Sequence, residues 1–174
     1  MPDVWQTIAA EAERESPLWG LALLPTAERA PLPVFSPLAA ERYRLGIETI
    51  YEGYLLHYGR PRIFGPADAD TALLLGDYLY AHGLVRIAAL GDVAAVADLA
   101  ELISLCAQAR AQHGDGDGPA WVATAALLGT SRLGEARDAL RLHGDASPLT
   151  ALAEDAAGVD AVETALVAHH RRMG

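Results

Sequence analysis

"YGRPRIFGPADADTALLLGDYLYAHGL", residues 58–84, reads as a loop feeding a long helix. Asp68 or Asp70 supplies the N-cap of that helix, which spans about 67–90. Leu73, Leu74, Leu75, Leu79, Leu84, Val85 and Ile87 surround it on nearly every side. A helix apolar on most sides belongs at the centre of a core, so this one is expected to be the most buried element. Gly76 and Gly83 are seven residues apart and share one side, where they would let another helix approach closely. Asp77 falls between Leu73, Tyr80 and Leu84 on the apolar face. An unpaired charge there is costly. The expectation is an enclosed Asp77, hydrogen-bonded to a tyrosine hydroxyl or an arginine.

Upstream, "SPLAAERYRLGIETIYEGYLLHY" (36–58) predicts a second strong helix, with Ser36 as cap and Pro37 in its first turn. Tyr43, Ile47, Ile50, Tyr51, Tyr54 and Tyr58 share one face and read as a core stripe whose hydroxyls reach polar groups. Glu41, Glu48 and Glu52 lie on a neighbouring face, and Glu48 and Glu52 read as solvated carboxylates. Asp3 caps a short helix over 3–14 that ends before Pro17. In "PLWGLALLPTAERAPLPVFSPL" (17–38), Pro25, Pro31, Pro33 and Pro37 forbid one continuous helix. The segment is too apolar for a solvated linker. Residues 1–40 are therefore expected to be a helix plus an apolar arm wrapped over the domain or over a partner. Residues 41–174 form a helical bundle, in a single domain overall.

Downstream, Asp92 follows Gly91 and caps a helix over "VAAVADLAELISLCAQARAQ". "HGDGDGP" is an acidic surface turn: a calcium loop opening at Asp115 would need a bidentate glutamate where Ala126 stands. "AWVATAALLGTSRLGEARDALRLHG" gives one or two helices with a break near Gly129 and Ser131. "SPLTALAEDAAGVDAVETALVAHHRRM" gives two more, parted at Gly158. No period-two pattern stands out, so the class is all-α.

A net charge of -10 argues against nucleic acid, which needs a basic surface. The one dense basic cluster, "HHRRM", sits at a helix C-terminus, where the dipole favours cations. Cys106 is the single cysteine and lies in an apolar helix, so it reads as a buried small hydrophobe. No internal disulfide can form, no stretch is apolar long enough to span a membrane, and no signal peptide is evident. The expected location is cytoplasmic.

Taken together, "GRP" at Gly59, Arg60 and Pro61, followed by "GDYL" from Gly76 through Asp77 and Tyr78 to Leu79, resembles the trans-isoprenyl diphosphate synthases. "WVATAALLGTSRLGEA" is similar to their KTAAL helix, and the resemblance covers roughly 40–145. It implies an isoprenoid-synthase-like helical bundle, here truncated. In that family two aspartate-rich motifs bind magnesium and the substrate diphosphate, with arginine and lysine neutralising charge. The first motif, DDxxD, falls on Glu48, Thr49 and Glu52. The arginine pair falls on His57 and Tyr58, the lysine on Val122 or Ala123, and the second acidic motif has no counterpart. The resemblance therefore implies a degenerate acidic motif and a degenerate diphosphate site at His57, Tyr58 and Arg60.

The leading expectation is a non-catalytic accessory subunit that helps shape the prenyl-chain tunnel of a catalytic isoprenyl diphosphate synthase partner. It is closest in kind to the small component of heptaprenyl diphosphate synthase, and needs no cofactor. One alternative is a stand-alone homodimer or larger homo-oligomer that binds an apolar or isoprenoid ligand between helices. Another is a residually active prenyltransferase using Mg2+ at Glu48 and Glu52, with His57, Asp77 and His82 as further metal or acid–base groups.

Overall fold

The computed structural model describes residues 3–173 of the 174. The fold is all-α: among the described residues the chain forms nine α-helices, and its strand-like pairing is one antiparallel bridge between Leu23 and Phe64. None of these helices is long and apolar enough to cross a membrane.

Helix α1 (Val4–Glu15) buries Trp5, Ile8, Ala9 and Ala12, an i, i+3, i+4, i+7 stripe. Ser16 ends it and caps the short α2 (Pro17–Leu21) by accepting from the Leu18 N–H. The proline-rich arm then lies over the domain. Leu24 N–H donates to Ile63 O at 3.0 Å, Gly65 N–H to Ala22 O at 2.7 Å and Ala30 N–H to Arg62 O at 2.9 Å. Val34 and Phe35 are buried in the main core, so the arm is part of the bundle's packing.

Helix α3 (Arg44–Tyr58) starts later than its sequence suggests. Residues 36–43 form two 3-10 turns separated by extended Ala39 and Ala40. Ser36 caps nothing, because its hydroxyl is given to Glu48. Helix α4 (Ala69–Ala88) is capped by Asp68, which accepts from the Thr71 N–H at 2.7 Å. The α3–α4 pairing is the most extensive in the molecule and runs through glycines on both helices. A Cβ at Gly53 would stand 2.9 Å from Gly76 O, and one at Gly46 would stand 2.5 Å from Ile87 Cδ1.

The sequence suggests α4 as the most buried element, but α3 is more buried than α4. Eleven of the 15 residues of α3 are buried, against five of the 20 in α4. Helix α4 packs on α3 and on α5 (Val93–Ala111), and leaves Leu73, Leu74 and Val85 exposed on its outer side. Its apolar girdle is wider than the neighbours that cover it.

Asp92 caps α5 after Gly91, whose φ is +75°. Helices α6 (Asp117–Ala126), α7 (Gly134–His143), α8 (Ser147–Ala157) and α9 (Val159–Met173) complete the bundle. Gly129 and Ser131, both at positive φ, mark the break before α7, and Gly158 separates α8 from α9. Phe35, Tyr51, Tyr54 and Trp121 fill the centre between α3, α6 and α9. The Phe35 and Trp121 rings stack at 5.1 Å, and Tyr51 meets Phe35 edge-on at 4.9 Å.

Replacing Gly53→Ala should destabilise the chain by about 1–3 kcal/mol, because the new methyl meets a backbone carbonyl that cannot rotate away. Urea unfolding of wild type and variant measures this. An unchanged midpoint would mean that the α3–α4 seam is looser than its geometry.

Candidate functional site

Glu48 and Glu52 stand one helical turn apart on α3, on the side facing the arm and the 59–66 loop. Between them lies Arg62, and all three side chains are fully buried. Glu48 accepts from the Ser36 hydroxyl at 2.5 Å through one oxygen and from Arg62 Nη1 at 2.5 Å through the other. Glu52 Oε1 accepts the backbone N–H groups of Arg62 at 2.7 Å and Ile63 at 2.9 Å, and its Oε2 accepts from Arg62 Nε at 2.8 Å. The guanidinium also donates to Leu32 O and Glu48 O and lies over the rings of Trp5 (4.4 Å) and Tyr51 (4.8 Å). Burial pulls Arg62 down, but the two carboxylates more than reverse this and keep it charged.

Glu48 and Glu52 are therefore not the solvated carboxylates that the sequence suggests. Every oxygen of the pair already accepts a hydrogen bond, and Arg62 occupies the place of a bridging cation. Magnesium demands open oxygen ligands in near-octahedral geometry. These residues do not fit it. Among the described residues, no group of three or more His, Cys, Asp or Glu side chains is placed to hold a metal. Thr49, the middle position, donates to Leu45 O at 2.7 Å and accepts from Arg86. Arg86 also pairs with Glu11, so Thr49 belongs to a tie between α1, α3 and α4.

Asp77 is not enclosed. Its side chain is 66% exposed, and its partner is His57 at 3.3 Å rather than a tyrosine or an arginine. It lies on the uncovered side of α4, where a carboxylate keeps its water. His57 is mostly buried against Tyr80, with ring centroids 5.0 Å apart, and its imidazole fills the space beside Gly76. Burial lowers its pKa, and Asp77 only partly opposes this. Tyr58 is half-buried against Tyr54, and burial raises its phenol. Neither side chain supplies a fixed positive charge for a diphosphate.

Gly59 and Arg60 seat the loop on the end of α9. The Arg60 N–H donates to Arg172 O at 2.9 Å, and a Cβ at Gly59 would stand 2.8 Å from the same oxygen. Pro61 is half-buried, and the Arg60 side chain is exposed. Tyr78 stacks between Trp19 and His82, while His82 pairs with Glu11 at 2.7 Å. His82 and His57 thus serve separate networks, and the proposed acid–base group does not assemble. Val122 and Ala123 are fully buried where the family's lysine would fall.

Sequence reasoning missed a second buried polar centre. Asp117, in the supposed surface turn, accepts from Tyr54 and Arg110 and lies 3.6 Å from His169 Nε2. His169, within the basic "HHRRM" cluster, is buried, and its Nδ1 is 2.9 Å from the Tyr51 hydroxyl. Burial pushes the Asp117 carboxyl up, but His169, Tyr54 and Arg110 hold it well below the usual carboxylate range. Asp117 and His169 border an open cavity of about 530 Å3. One signal for His169 was available: Val162, Ala165 and His169 fall on the inward side of α9 at helical spacing. Arg62 had none beyond its place between apolar neighbours.

Arg62→Met should cost about 3–5 kcal/mol at neutral pH, since it strands two buried carboxylates. Adding Glu48→Gln and Glu52→Gln should recover part of that loss in urea unfolding. A stable Arg62→Met protein would show that the carboxylates find water or another partner. His57 gives a pH signature. Its folded pKa lies below the ordinary 6.5, so the unfolded chain binds the extra proton first. The stability it contributes is present above pH 6.5 and falls as the pH drops through that value. Between pH 7 and 5, thermal unfolding of His57→Gln should shift less than that of wild type, and equal slopes would contradict the assignment.

Compared with family models, curated proteins and solved structures, the chain matches none of them.

Proposed function

We propose that this chain is a non-catalytic accessory subunit of the isoprenyl diphosphate synthase kind, working beside a catalytic partner. One observation carries the proposal. At the two positions where the resemblance would put metal-binding carboxylates, Glu48 and Glu52 are sealed in the core around Arg62. An arginine in place of the metal preserves the local architecture and removes the Lewis acid that allylic ionisation needs. The charges that would hold a diphosphate nearby are replaced by His57, which burial disfavours as a cation, and by neutral Tyr58.

Two further features support a subunit role. The bundle's own centre is filled by Phe35, Tyr51, Tyr54 and Trp121, so a growing prenyl chain would be housed mainly by the partner. Leu73, Leu74 and Val85 are uncovered apolar side chains on α4, on the side that also carries Asp77, and suit a helix from another chain. That second chain is a catalytic synthase subunit in the leading form of the proposal and a second copy in the alternative.

Purified chain given Mg2+, an allylic diphosphate and a homoallylic one should show no prenyl transfer. Turnover that disappears in Glu48→Gln/Glu52→Gln would overturn the non-catalytic assignment. Sedimentation should show self-association, or a stable complex with a co-expressed synthase from the same cell, and Leu74→Asp/Val85→Asp should abolish it. A monomer that also ignores every such synthase would remove the subunit role.

A further inference from the structure

Arg60, Arg171 and Arg172 converge at one end of a surface groove between the 32–38 segment and α9. In a chain of net charge -10 such a gathering runs against the overall field. Arg171 and Arg172 stand in the last turn of α9, where the dipole favours cations, and Arg60 joins them from the 59–66 loop. Among the described residues, none of the three arginines forms an ion pair with a carboxylate. Arg60 donates to Arg171 O through its side chain and to Arg172 O through its backbone N–H. These bonds cap the helix end, whose bare carbonyls would otherwise repel an anion. Arg172 donates one N–H to Ala30 O at 3.2 Å. Burial first, then the nearby Arg62, hold its guanidinium below its usual pKa, with Glu52 partly opposing. An anion at this place would relieve that repulsion.

Between its arginines and Asp160 the groove is lined by apolar side chains, with Thr164 among them. At the cationic end, a space of about 650 Å3 is walled by Leu32, Pro33, Val34, Pro61 and Ala168. It shares Pro33, Val34 and Ala168 with a second space of about 410 Å3, which runs on to Leu38, Ala161 and Ala165. Asp160 lies at the far end, and on the outer side of α9 it and Glu163 border a further space whose other end is Arg171. From residue 161 to residue 171 the helix rises about 15 Å. The two ends thus differ in sign: one is acidic, the other cationic, and an apolar floor joins them.

We propose that this groove binds a phosphomonoester with a linear apolar tail, its head held by Arg60, Arg171 and Arg172 and its tail lying toward Leu38 and Ala165. A phosphomonoester carries more than one negative charge near neutral pH and offers three acceptor oxygens, which match several guanidinium forks better than a single carboxylate does. Asp160 and Glu163 fix the direction by repelling the head from the far end. The site lies on the surface, outside the buried Glu48–Arg62–Glu52 centre that it adjoins, and does not depend on the accessory-subunit role.

Calorimetric titration of the whole chain tests this, using decyl phosphate, decanoate, inorganic phosphate and decyltrimethylammonium, each below its micelle concentration. Decyl phosphate should bind most tightly, inorganic phosphate and decanoate more weakly, and the cation not at all. Arg60→Gln/Arg171→Gln changes two exposed side chains and should weaken decyl phosphate by about tenfold or more, as expected for lost charge-assisted hydrogen bonds. Leu32→Asn should weaken decyl phosphate while leaving inorganic phosphate unchanged. Circular dichroism checks that both variants keep the fold. No binding of decyl phosphate, equal binding of the cationic amphiphile, or an affinity indifferent to the arginine pair would each overturn the proposal.

Discussion

The structure depends on the Arg62 guanidinium held between Glu48 and Glu52. Taking three charges out of water is expensive, and their attraction offsets it only when hydrogen bonds satisfy the remaining groups. Here they do: the carboxylates collect the Ser36 hydroxyl and two backbone N–H groups, and the guanidinium reaches two carbonyls and two aromatic faces. The partners come from α1, the arm, α3 and the 59–65 loop. A long apolar arm could slide over a smooth core at little cost. It cannot slide once Leu32 O and Ser36 are bound to the same buried ions.

The same interaction constrains function. A carboxylate pair one turn apart on a helix is a ready magnesium ligand when it faces water or substrate. It becomes a structural element when an arginine from a neighbouring loop fills the gap between the oxygens. The two states exclude each other, because the arginine and the metal need the same space between the oxygens. Other polar groups serve ties of their own: His57 to Asp77, His82 and Arg86 to Glu11, and the buried Asp117 to Tyr54 and Arg110. The three arginines at the end of α9 differ from these, because no carboxylate among the described residues pairs with them.

Much of the architecture could be read from local signals. Helix starts at Asp68 and Asp92, the breaks at Gly129–Ser131 and Gly158, and the glycines that let α3 approach α4 all rest on properties of a few neighbouring residues. The tyrosine stripe was legible too. Tyr43, Tyr51 and Tyr54 turn inward; Tyr43 and Tyr54 donate to Asp92 and Asp117, and the Tyr51 hydroxyl is hydrogen-bonded to His169 Nδ1. The start of α3 was not legible, since Ser36 resembles a cap in sequence and is claimed by Glu48 in space. The polar partners of these groups lie tens to more than a hundred positions away, beyond any local pattern.

The sequence alone determined that the chain is helical, where its helices break, and which side chains are apolar on each. Periodicity carries that information because it is a property of one helix at a time. Tertiary structure alone decided which apolar faces acquire neighbours. Helix α4 is apolar nearly all round, yet Asp77, Leu74 and Val85 face outward because no other element covers them, while Glu48 and Glu52, polar on paper, lie in the core because Arg62 meets them there. A residue's burial and charge state follow from what is packed against it, and that contact is made only when distant segments come together.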